Sequence, residues 1–97
     1  MKGYDLVLSA RSRSDLIAIR QWLSQPGSGL RARLRMARIS RALAELRFDP
    51  ARWPTGPHPE ARQRVVEGHV IIYRLDEQAR QVRIIRVFAP YQDRSEA

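Results

Sequence analysis

Hydrophobic positions along this chain of 97 residues follow two rhythms. Toward the end, residues 68–76 (Gly-His-Val-Ile-Ile-Tyr-Arg-Leu-Asp) and 82–88 (Val-Arg-Ile-Ile-Arg-Val-Phe) are apolar runs rich in β-branched and aromatic residues. The polar stretch 76–80 between them suits a five-residue turn, so the pair predicts a β-hairpin. Residues 62–67 read as a short strand running into a tight turn at Gly68, with Arg62 and Arg64 on one side. Residues 4–8 are short and β-prone, as expected of a strand at a sheet edge. Because successive strand residues alternate, Ile71, Tyr73 and Leu75 should share one face, and Val70, Ile72 and Arg74 the other. Arg74 and Arg86 interrupt the apolar runs. A guanidinium must meet water or an anion, so one face should be covered and the other left to work.

The second rhythm is helical. Ser9 reads as an N-cap for a helix over residues 10–25, in which Leu16, Ile19 and Leu23 form the buried stripe, Trp22 flanks it and Ile17 points elsewhere. Asp15 lies too far in to complete a capping box with Ser9. Residues 26–29 (Pro-Gly-Ser-Gly) break the pattern, which predicts a helical hairpin. The next helix, over residues 29–47, aligns Ala32, Met36, Ile39, Leu43 and Leu46 on one face. Leu30, Leu34 and Ala37 fall on roughly the opposite side. Either the first helix covers both faces or the second set is a groove for a partner.

Residues 48–59 carry four of the six prolines and must be an extended, surface-hugging loop, pinned by Phe48 and Trp53. Residues 89–97 form a polar tail, and Pro90 ends the last strand. With neither an internal repeat nor a second composition, residues 1–97 read as one domain. Its fold class is α+β, in the order β-α-α-β-β-β, with an antiparallel sheet and the helical hairpin on one face.

Charge narrows the partners. Eighteen basic residues, 17 of them arginine, stand against 10 acidic ones, for a net +8. Such a surface suits nucleic acid, an enzyme that handles it, or an acidic protein that neutralises this one. The chain has no cysteine, which removes disulfides, thiolate nucleophiles and cysteine-based zinc sites and fits a cytoplasmic location. No stretch approaches the roughly 20 apolar residues that span a bilayer. His58 and His69 have no acidic or histidine neighbours at metal-ligand spacing, and Gly56 and Gly68 belong to no phosphate loop, so no metal or cofactor is expected.

The order of elements, residues 8–16 (Leu-Ser-Ala-Arg-Ser-Arg-Ser-Asp-Leu), the strand 68–74 and residues 84–87 (Ile-Ile-Arg-Val) together resemble the ParE branch of the RelE/ParE toxins. The resemblance spans nearly the whole chain. It implies the toxin of a type II toxin–antitoxin pair, held silent by an acidic ParD-like antitoxin. RelE-like members cut messenger RNA in the ribosome, chemistry that needs cations for the transition state and a group to manage the 2′-hydroxyl proton. By that resemblance Arg62, Arg64, His69, Arg86 and Tyr91 are the nuclease candidates. However, the arginine RelE-like chains carry two residues after the glycine is here Val70, and the basic residue expected after the last strand falls near Ala89 and Pro90. That departure favours the ParE activity, inhibition of DNA gyrase by binding, with His69, Arg74, Arg86 and Tyr91 facing the target. Arg74 and Arg86 could then form a double fork for an oxyanion if the hairpin register aligns them. For the antitoxin, the residues are Ile17, Leu30, Leu34, Ala37 and Arg38. Direct nucleic-acid binding is a secondary expectation.

Overall fold

The computed structural model describes residues 3–90 and Gln92. Strand β1 (Asp5–Leu8) leads into helices α1 (Ala10–Leu23) and α2 (Gly29–Glu45); a 3-10 turn (Pro50–Arg52) and loop then precede β2 (Arg62–Val66), β3 (His69–Asp76) and β4 (Gln81–Phe88). The strands make one sheet in the order β1-β4-β3-β2. None of these helices is long and apolar enough to cross a membrane.

Local chemistry explains the boundaries. Ser9 is extended and its Oγ accepts from the Ser12 amide at 3.0 Å, the expected N-cap. The helix stops two residues short of the expected Gln25, where the Ser24 amide closes on the Arg20 carbonyl and the Pro26-Gly27 break follows. Val66 pairs with His69, so Glu67 and Gly68 form a two-residue hairpin loop with φ of 51° and 74°. Both values are positive, as a type I′ turn requires; Gly68 adopts this freely, while Glu67 is held by contacts described below.

The alternation of β3 holds. Ile71 and Tyr73 join Ile19, Leu23, Ile39, Leu43 and Leu46 of the helices in the main core, with Val82, Ile84 and Val87 of β4. Val70 and Ile72 lie on the other face, with Ala61 and Phe88. Between Ile72↔Arg86 and Tyr73↔Ile84, Ile85 is an extra residue, and this bulge lets Ile84 and Val87 both reach the helix side.

One expectation needs correction: the sheet is mixed. β2, β3 and β4 are antiparallel, but β1 runs parallel to β4. The crossover through both helices returns the chain to the far edge, so β1 is left to pair with the last strand. β1 ends opposite Ile84, which leaves the edge of β4 bare beyond that point. The start of α1 covers it. The Ser9 amide donates to the Ile84 carbonyl at 3.0 Å, the Ser9 hydroxyl to the Ile85 carbonyl at 2.9 Å, and the Asp15 carboxylate accepts from the Val87 amide at 2.9 Å.

Candidate functional site

Two surfaces gather the candidate residues. The first is the outer side of α2. Turning Ile39 and Leu43 into the core leaves Leu30 and Leu34 63% and 45% exposed, with Ala37 exposed beside them. α1 therefore does not cover both faces of α2. Leu34 and Arg38 line a cavity of about 360 Å³ with Arg31, Arg35 and Glu67. Arg38 Nη1 donates to Glu67 Oε1 at 2.6 Å and Arg35 Nε lies 3.9 Å from its other oxygen, so the strained turn is tied to the helix. A neighbouring cavity of about 330 Å³ shares Arg35 and adds Trp22, Leu23, His69 and Pro90. Ile17 is exposed on α1. This is apolar surface edged by cations, suited to an amphipathic acidic segment.

The second surface is the sheet, and here the arginines part company. Arg64 turns to the helix side: its guanidinium donates to the Ala42 carbonyl and to Glu45, both at 2.9 Å, and lies 4.5 Å over the Trp53 ring. Arg62 donates to the Trp53 carbonyl at 2.5 Å. Between them Tyr73 is fully buried, its hydroxyl donating to the Pro50 carbonyl at 2.6 Å. Burial pushes that phenol up to about 12, against the opposing pull of Arg62 and Arg64.

Arg86 reaches round the β4 edge to Asp15, with Nε and Nη2 donating at 2.8 and 3.2 Å and its plane 4.3 Å over Phe88. The pair is largely buried, with side chains 14% and 8% exposed. The expected double fork of Arg74 and Arg86 therefore does not form. Arg86 stands opposite Ile72 because of the bulge, and the residue opposite Arg74 is Arg83. Arg74 keeps a loose ion pair with Glu60 at 3.7 Å. His69 is buried, its Nδ1 donating to the Glu67 carbonyl at 2.9 Å. Tyr91 lies outside the described residues.

The nuclease candidates are thus dispersed: Arg62 and Arg64 under the helix side, Arg86 at the opposite edge, His69 at the start of β3. Among the described residues, no three His, Asp or Glu side chains stand together as metal ligands. Three residues that sequence reasoning passed over matter here: Asp15, Glu67 and Arg83. Asp15 is the only acidic residue in α1, the one signal that could have marked it.

A family model described as "ParE toxin of type II toxin-antitoxin system, parDE" matches residues 6–90. The chain belongs to the ParE toxin family. In three dimensions this ParE-family toxin is similar to a chain of the chromosomal ParDE toxin–antitoxin system from P. aeruginosa, with TM-score 0.71 and 16% identity over 89% of this chain and 95% of that one. It is also similar to a chain of the intact E. coli RelBE complex (TM-score 0.61, 14% identity, 92% and 99% covered). A third likeness is to the RelBE2 complex from Mycobacterium tuberculosis (TM-score 0.58, 21% identity, 92% and 93% covered). No curated protein sequence matches. The RelE/ParE toxin fold is common to both branches, so function must be argued from side chains.

Proposed function

We propose that this toxin acts by binding DNA gyrase and blocking it, without chemistry of its own, in the bacterial cytoplasm. An acidic ParD-like antitoxin silences it by laying an amphipathic helix along Leu30, Leu34 and Ala37 of α2, with Ile17 as a further contact and Arg38 and its neighbours orienting the encounter.

The observation that carries the reading is the commitment of the cations a nuclease would use. Arg62, Arg64 and Arg86 are each occupied by carbonyls or carboxylates of the fold, on separate sides of the sheet. A phosphorane-like transition state needs preorganised, converging donors, and these do not converge. A binding inhibitor needs only an accessible complementary surface, which α2 and the open sheet face offer.

Two incubations test it: the toxin with gyrase and plasmid, and the toxin with translating ribosomes and message. Loss of supercoiling with intact message is the expected outcome. Message cleavage by the parent, lost in Arg62→Ala and Arg64→Ala, would transfer the activity to the RelE class.

A further inference from the structure

Arg74 on β3 and Arg83 on β4 are direct register partners, so both guanidiniums leave the sheet on the same face, the one the helices do not cover. Among the described strands this is the only register pair of like charge. Both arginines are held at the surface by long contacts. Arg74 Nη1 is 3.7 Å from Glu60, Arg83 Nη2 is 3.6 Å from Asp76 and Arg83 Nε donates to Gln81 Oε1 at 3.3 Å, with side chains 47% and 55% exposed. Opposed like charges weaken a strand pair, and Thr or Val at either position would serve the sheet better. A residue pair that costs the free fold stability is a mark of use elsewhere.

The surroundings limit what the pair can receive. Val7, the register partner of Arg83 on β1, is 39% exposed on the same face and offers apolar contact. Past Arg74 opens a cavity of about 550 Å³ lined by Thr55, Pro59, Glu60, Arg62 and Glu77. Glu60, Asp76 and Glu77 fence the arginines, so a continuous phosphate backbone would meet acidic side chains on either flank. A single carboxylate carried on a protein surface can pass between them.

We infer that Arg74 and Arg83 form an oxyanion clamp, closing as two forks on a carboxylate side chain of a protein partner. Naming that partner as gyrase rests on the function proposed above; the clamp itself does not.

Thermal unfolding and gyrase inhibition of the parent, Arg74→Thr, Arg83→Thr and Arg83→Lys test the clamp. In chloride, each Thr variant should melt roughly 2–5 °C above the parent, because the repulsion is gone. Inorganic phosphate at matched ionic strength, standing in for the partner's oxyanion, should raise the melting point of the parent more than that of any variant. Each substitution should raise the concentration needed for gyrase inhibition about tenfold or more, including Arg83→Lys, which keeps the charge but loses the fork. Thr variants that melt at or below the parent, with the same phosphate response, would show an ordinary solvated pair and overturn the clamp. A phosphate response confined to the parent without gyrase inhibition would leave the clamp and remove gyrase. If an oligonucleotide stabilises the parent and none of the variants, the occupant is nucleic acid and the carboxylate assignment falls.

Discussion

Arg62 and Arg64 on the helix side of the sheet differ from Arg74 and Arg83 on the open side in everything except chemistry. The first two hold backbone carbonyls at 2.5 and 2.9 Å, and Arg64 also lies over the Trp53 ring, fastening the proline loop and the end of α2 to β2. The other two reach their carboxylates only at 3.7 and 3.6 Å, from about half-exposed positions. In a chain with 17 arginines, residue type alone therefore says little about role. What separates a fastener from a binding group is whether the fold has already satisfied its donors.

Arg86 is the severest test of that distinction, since the sequence places it among the target-binding residues and the structure commits it to a largely buried, two-bonded pair with Asp15. Arg86→Ala would leave Asp15 buried with only the Val87 amide as partner, and should cost about 3–5 kcal/mol, read as a lowered denaturant midpoint. A fully stable Arg86→Ala would erase the contrast and return Arg86 to the binding surface.

On the exposed side of α2 the effect should fall on binding instead. Leu34→Asp should weaken the antitoxin complex by about 3 kcal/mol while leaving the melting point within a degree or two, because Leu34 is 45% exposed in the free toxin. Unchanged affinity in calorimetry would remove this stripe from the interface.

Tyr73 sharpens the buried side. Its folded phenol ionises near pH 12 whereas the unfolded one ionises near 10, so between those values the unfolded state has lost a proton the folded state keeps. Stability should be unaffected below pH 10 and fall by about 2 kcal/mol as pH rises toward 12. Tyr73→Phe should lose about 1 kcal/mol at neutral pH, through the missing bond to Pro50, and lack that alkaline decline. The smallest effect belongs to Arg64→Ala, about 1 kcal/mol, since part of its network runs to the half-exposed Glu45. Its signature is an altered Trp53 emission; an unchanged spectrum would mean that the stacking in the fastener is idle.

Much of this was legible in the chain itself. Period-2 alternation in residues 69–76 assigned Ile71 and Tyr73 to one face because one face had to be apolar, and the Ala32 to Leu46 stripe marked the covered side of α2 for the same reason. The parallel placement of β1 was not legible, since pairing between the first and last strands depends on how the helices carry the chain across the sheet. Nor was the partner of Arg74. Reading a five-residue turn rather than the four residues between Asp76 and Gln81 leaves the register open, and the Ile85 bulge shifts everything beyond it by one. Asp15 was read only as a failed capping residue, because its partners lie 71 and 72 residues away along the chain.

The pairing of β1 with β4 also has a temporal consequence. Ser9 and Ile85, joined by a hydrogen bond at the sheet edge, are 76 residues apart, so the edge can be completed only after almost the whole chain has been made. The β2-β3-β4 meander can form from local contacts, but β1 must wait for the strand it lies beside. During synthesis the first strand and its helices therefore emerge before the sheet that will cover their apolar faces, and the open face that carries Arg74 and Arg83 assembles last. A nascent chain therefore lacks the open sheet face until its final strand is free of the ribosome, while the outer face of α2 has already emerged.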